Sequence, residues 1–242
     1  MPPFVDRVVI VTGAASGIGS ATVERIEKEG GIPVIWDVTD VSPPPTGSTQ
    51  VVDVSDPSSV EKATNIVVEE YGRIDGLVNC AGIMGFPKRL ADQKPENFHQ
   101  IFATNTESVF LTIRSVVPYM VAAGGGSIVN ISSNAALYSR VGLALYSASK
   151  AAVIALTRNA ALEYGTSGVR INAVCPGGTK TPMVGSLDSP EIQELIEKIP
   201  LGRFAEPEEI ANMVYFLLSD EASYTTGSVF VIDGGMRLVG GG

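Results

Sequence analysis

Histidine and cysteine are nearly missing from this chain of 242 residues, which carries one His, His99, and two Cys, Cys80 and Cys175. The single histidine falls in the helix-like run PENFHQIFATN with no nucleophile near it, so a serine- or cysteine-hydrolase triad has no base to build on. The cysteines show neither CxxC spacing nor a neighbouring histidine, which argues against metal or redox chemistry and for buried free thiols. Positive charge is also short: 17 Lys+Arg against 26 Asp+Glu leave a formal charge of −9. No basic cluster is available to neutralise phosphates, so nucleic acid is not an expected partner. Apolar runs are broken well before the ~18 residues a membrane helix needs. No leader-like segment precedes the first strand-like run near Val5. The expectation is a soluble, cytoplasmic protein that handles small molecules, with no metal site.

What is present is a repeated alternation. The runs RVVIVT (7–12), GIPVIWD (31–37), QVVDV (50–54), GLVNCAG (76–82), GSIVNISS (126–133), VRINAVCPG (169–177) and SVFVIDGG (228–235) are apolar with little period-two patterning. That is the mark of strands covered on both faces. Helical segments lie between them. DPSSVEKATNIVVEEYG (56–72), for example, opens on an N-cap Asp with Pro behind it and closes on Gly. The order predicts an α/β fold, a single doubly wound Rossmann domain over 1–242 with a parallel seven-stranded sheet flanked by helices. SPPPTGS (42–48) stands where a crossover helix would sit and predicts an irregular loop.

TGAASGIG (12–19) follows the first strand and precedes a helical run, with glycines at 13, 17 and 19. Glycines at such a turn let the backbone approach a pyrophosphate, while the helix N-terminus supplies free N–H donors and the positive end of its dipole. Asp37 closes the second strand at the distance expected of a carboxylate that accepts ribose hydroxyls. A 2′-phosphate there would face like charge, at a cost on the order of 4 kcal/mol for unit charges ~4 Å apart in an effective dielectric of 20. Ser16 offers no compensating cation, so the expected cofactor is NAD and not NADP. A turn-capping role is the plainer alternative for Asp37.

These motifs, taken in order with NCAG (79–82), Asn105, YSASK (146–150) and PGGTKT (176–181), resemble the short-chain dehydrogenase/reductase (SDR) family over essentially the whole length. Ser133 stands thirteen residues before Tyr146, the spacing of that family's catalytic serine. The chain departs from the usual pattern at Cys80, where many members carry a second Asn, and at Thr179, usually aliphatic. The resemblance implies a catalytic set of Asn105, Ser133, Tyr146 and Lys150. It also implies a cofactor surface of Gly13, Ser16, Gly17, Ile18, Gly19, Asp37, Asp53, Val54, Asn79, Ala81, Gly82, Pro176, Gly177, Thr179 and Thr181, with Tyr146 and Lys150. Ser132, Asn105 and Asp53 have plainer readings as a backbone-bonded strand-end hydroxyl, a helix cap and a turn cap.

In such a set Tyr146 is the general base toward an alcohol and the general acid toward a ketone. A free tyrosine titrates near 10, so this role asks for a fall of roughly 2–3 units, or about 3–4 kcal/mol. An ammonium ~5 Å away supplies on the order of 3 kcal/mol, and the ring of the oxidised cofactor adds more, against the desolvation of the phenolate. By resemblance, Ser133 steadies the charge on the substrate oxygen and Lys150 grips the ribose. Asn105 then holds a water that relays protons.

Substrate is expected between NAALYSRVGLAL (134–145) and a lid with a short helix, MVGSLDSPEIQELIEKIP (183–200), which together offer Ala, Leu, Val and Met with a few polar groups. Arg140 reads first as a solvated loop charge and second as a group for an acidic substrate. The helices near 106–122 and 148–164 are apolar beyond one stripe, and the family's habit of pairing through them points to a homotetramer. The leading function is an NAD-dependent oxidoreductase interconverting a secondary alcohol and a ketone. The rivals are a 3-oxoacyl thioester reductase acting on acyl carrier protein or CoA, and a catalytically silent NAD-binding regulatory protein.

Overall fold

The structure, a computed structural model, describes residues 4–239. Of the expected domain span 1–242, residues 1–3 and 240–242 lie outside the described residues. Seven parallel strands form one sheet in the order β3-β2-β1-β4-β5-β6-β7. They are β1 (Val8–Thr12), β2 (Ile32–Asp37), β3 (Ser48–Val51), β4 (Gly76–Asn79), β5 (Gly126–Ile131), β6 (Val169–Pro176) and β7 (Val229–Ile232).

Alternate residues of one apolar run feed both faces. In β1, Val8 and Ile10 join a core with α2 (Pro57–Tyr71), α4 (Ser108–Ala122) and α5 (Ala144–Tyr164). Val9 and Val11 join another with α1 (Gly17–Lys28) and α7 (Pro207–Leu218). All five residues of β1 and all four of β4 are buried. Each fully buried Val or Ile stabilises by about 1.5–3 kcal/mol relative to exposure, which is why the centre of the sheet reads so clearly in the sequence. The reading of strands covered on both faces fails at the edges: β7 is half-buried throughout, and β3 is half-buried with Val51 exposed.

The third strand is Ser48–Val51 instead of the expected 50–54. Register explains the shift, since Val34 to Asp37 pair with Ser48 to Val51, and an edge strand open to water tolerates Ser, Thr and Gln. No helix joins β2 to β3. The loop is held by Thr46, whose hydroxyl donates to the Gly31 carbonyl at 3.1 Å. In α2, Asp56 accepts from the Ser58 N–H at 3.0 Å, Pro57 opens the first turn, and Gly72 closes the helix at φ 73°.

Winding reverses between β1 and β4, the point where an open α/β sheet leaves a crevice beyond its carboxyl ends. Among the described residues no helix is long and apolar enough to cross a membrane.

Candidate active site

A cleft of about 940 Å³ opens at this crevice. Gly13 stands at φ 64°, and a Cβ there would lie 2.6 Å from the Ala81 Cα, so the turn after β1 rests directly on the chain leaving β4. Thr12, buried at the end of β1, accepts hydrogen bonds from the Cys80 and Ala81 N–H groups, both at 3.1 Å, and pins the two ends together. Gly17, at φ 59°, opens α1 against the Thr181 side chain. Ser16 gives α1 no side-chain cap, leaving the first-turn N–H groups available to an anion. This cradle of glycines is filled by any Cβ, and it fits a dinucleotide pyrophosphate.

Asp37 lines the same cleft. Its oxygens accept from the Ala15 and Thr39 N–H groups, each at 2.9 Å, so it anchors the glycine turn and still presents lone pairs to the cleft. Asp53 also lines it while capping its own turn through Ser55, whose N–H donates at 2.9 Å. Both carboxylates therefore cap a turn and also line the cleft.

Tyr146 and Lys150 lie one turn apart on α5, on the cleft wall. Beyond β5, Ser132 donates to the Lys150 carbonyl at 2.8 Å and is the backbone-bonded member of its pair. Ser133 accepts from the Ala135 N–H at 3.1 Å and faces the Tyr146 phenol. The Lys150 amine donates to the Ile131 carbonyl at 2.9 Å.

The electrostatics correct the sequence-based expectation. Desolvation raises the Tyr146 pKa above its ordinary value, partly offset by the Ser133 hydroxyl. The same burial lowers Lys150 to about 8. The ammonium is engaged by a carbonyl and weakened by its surroundings, so the chain's own groups do not make the phenol acidic.

Asn105 is no helix cap. It sits in a π turn, Ala103–Glu107, that joins α3 (Pro95–Phe102) to α4 without a break. Turns of this kind often mark functional positions. Its side-chain oxygen accepts from the Ile83 N–H at 2.7 Å, and its amide donates to the Ile83 carbonyl and the Ser149 hydroxyl.

Two expected cofactor residues do not line the cleft. Gly19 packs on the Gly13 carbonyl, which leaves no room for a Cβ. Asn79 is buried, its amide donating to Asn130 at 2.9 Å and its oxygen accepting from Thr112 at 2.8 Å. Asn130 passes the chain of bonds to Thr157 on α5. Asn79 thus braces the floor of the site. The other expected cofactor residues, Ile18, Val54, Gly82, Pro176, Gly177 and Thr179 among them, all line it.

The reading missed Thr12, whose signal was a polar residue at the end of an all-apolar strand. It also passed over Trp36 and Phe204, which line the cleft. Cys175 is buried as expected, whereas Cys80 is half-buried in the cleft wall with its thiol pushed up to about 11 by desolvation. His99 is exposed on α3. Among the described residues no group of acidic, His and Cys side chains could hold a metal.

A family model described as Enoyl-(Acyl carrier protein) reductase matches residues 13–237. The chain is 40% identical to the 3-oxoacyl-[acyl-carrier-protein] reductase FabG of Thermotoga maritima, over 96% of this chain and 98% of that protein. It is 39% identical to the levodione reductase of Leifsonia aquatica, over 96% and 94% of the two chains. The crystal structure of a levodione reductase superposes with a TM-score of 0.92 at 37% identity, covering 96% of this chain and 98% of that one. With the glycine turn, the switch-point cleft and the Ser133, Tyr146 and Lys150 corner on one parallel sheet, the chain belongs to the short-chain dehydrogenase/reductase family of oxidoreductases.

Proposed function

We propose that this is a cytoplasmic, homotetrameric, NAD-dependent enzyme that interconverts a secondary alcohol and a ketone. The observation that carries the reading is the meeting of Ser133, Tyr146 and Lys150 in one cleft with a glycine turn anchored by Asp37. Gly13, Gly17 and the start of α1 would hold the pyrophosphate, and Asp37 the adenosine ribose. A bound nicotinamide dinucleotide supplies the hydride donor or acceptor and, when oxidised, a positive ring.

The chain's own residues manage the proton. Tyr146 holds its phenolic proton tightly and is ready to give it to a ketone oxygen. In the other direction it takes the alcohol proton once positive charge offsets its burial. Ser133 donates to the substrate oxygen as charge gathers there. Lys150, on the adjacent turn and bonded to the Ile131 carbonyl, contributes only part of the positive charge that the phenolate needs.

NAD is favoured over NADP because, among the described residues, Lys150 and Arg140 are the only cations lining the cleft, and neither stands beside Asp37 in the sequence. The tetramer reading draws on Phe110, Val121 and Leu162, which α4 and α5 leave exposed.

The 40% identity to a 3-oxoacyl-[acyl-carrier-protein] reductase favours a thioester reductase as second reading. Turnover of secondary alcohols and ketones with NAD(H), compared with reduction of acetoacetyl-CoA by NADPH, separates the two. Tyr146→Phe serves as the blank in each assay. A preference for NADPH with the thioester would replace the first reading by the second, and no turnover in either would leave a silent binding protein.

A further inference from the structure

Among the described residues the cleft's acidic lining is Asp37, which ends β2, and Asp53, two residues past β3. Arg140, on the turn that leads into α5, lines the same cleft. Arg140 is exposed, as the solvated-loop reading expects. Arg140 lines the cleft, and among the described residues it enters none of the ion pairs and makes no side-chain hydrogen bond. Partial desolvation, with no counter-charge to offset it, lowers its guanidinium below the ordinary arginine value.

The turn itself is fixed. Gly142 takes φ 86°, its carbonyl accepts from the Lys88 N–H at 3.0 Å, and a Cβ there would press on Pro87. Apolar side chains, Met84, Pro87, Leu143 and Val184 among them, also line the cleft. The lid helix α6 (Pro190–Glu197) turns Ile192 and Leu195 to the cleft, while its Glu194 pairs outward with Lys198 at 2.7 Å. No acid of the lid therefore reaches the lining.

We infer that the substrate is an apolar alcohol or ketone bearing a carboxylate remote from the reacting carbon, and that Arg140 is the residue that selects it. This inference rests on the alcohol and ketone reading above. A planar carboxylate matches the two-pronged donor edge of one guanidinium. A dianionic phosphate would leave charge uncompensated in a lining with no second cation nearby but Lys150, already bonded to Ile131.

The test compares one ring with and without the acid: 4-oxocyclohexanecarboxylate and cyclohexanone, reduced by the full chain with NADH. Wild type should show a kcat/KM at least tenfold higher for the keto acid, expressed in KM. In Arg140→Ala the ratio of the two kcat/KM values should fall ten- to a hundredfold, and Arg140→Lys should restore only part of it, since an ammonium lacks the paired donors. Equal kcat/KM for the two ketones, or an unchanged ratio in Arg140→Ala, would overturn the inference. Calorimetric binding of the unreactive cyclohexanecarboxylate to the NADH-loaded protein tests Arg140 apart from turnover. Binding to wild type and not to Arg140→Ala supports the inference even if neither ketone reacts, in which case the oxidoreductase reading fails alone. Equal binding to both proteins, or to neither, refutes the role of Arg140.

Discussion

Asn105 and Lys150 converge on Gly82: a methyl group there would lie 3.1 Å from both the Asn105 side-chain oxygen and the Lys150 amine. The two residues come from different helices, and only the missing Cβ lets them approach the chain that leaves β4. Gly82→Ala should push the lysine off the wall without touching the core. We expect kcat to fall at least about tenfold, with melting temperature nearly unchanged. Wild-type kcat in this variant would show that the convergence has no part in turnover.

Tyr146 titrates against its burial. Its pKa is raised in the folded chain, so the phenol stays protonated through neutral pH and ionises above the ordinary value near 10. The phenolate absorbance of wild type minus that of Tyr146→Phe should therefore appear above pH 10 in the cofactor-free protein. A transition near pH 7–8 would contradict it. Ketone reduction should be favoured at neutral pH and alcohol oxidation at alkaline pH. Tyr146→Phe should lower both by about 10²–10⁴, the usual contribution of a positioned acid or base, with cofactor affinity kept.

Lys150 is held by a fold that penalises its charge. The folded pKa of about 8 lies below the unfolded value of 10.5, so the unfolded chain binds more protons between these limits. Stability from this group is lowest below pH 8 and rises as pH climbs toward 10.5, by about 3 kcal/mol in all. Lys150→Met removes that penalty and leaves the Ile131 carbonyl without one donor, a cost of ~1–3 kcal/mol. Denaturant melts should find the variant inactive, more stable than wild type by about 1 kcal/mol at pH 7, and losing that advantage by pH 10. A pH-independent difference would sink the account.

Asp37 should set the choice of cofactor. In Asp37→Asn the like charge that opposes a 2′-phosphate is gone, and the bonds to Ala15 and Thr39 retain at least one oxygen acceptor. The ratio of kcat/KM for NADP over NAD should rise about 10²-fold or more, given the few kcal/mol such a repulsion represents. An unchanged ratio would remove Asp37 from recognition.

Much of this site was legible because its residues obey local rules. Gly13 and Gly17 carry positive φ at a strand-to-helix turn, and Tyr146 and Lys150 share a face simply because they are four apart on a helix. What the sequence concealed was tertiary. Asn79 sits in a motif that resembles a cofactor contact, yet its amide is consumed by Asn130, a partner 51 positions away. The π turn at Asn105 has no periodic signature, because one extra residue within a continuous helix changes spacing without changing composition. Strand β3 was misplaced because half-solvated edges select for pairing and not for apolar content. The sign of the Tyr146 shift depended on burial, which no spacing reveals.

The lid helix α6 carries eight residues, and none of them is buried. Ile192 and Leu195 line the cleft only half-buried, so a molecule seated beneath them would cover more of their apolar surface. Substitutions in this short helix would then change what the cleft accepts while the sheet beneath stays as it is.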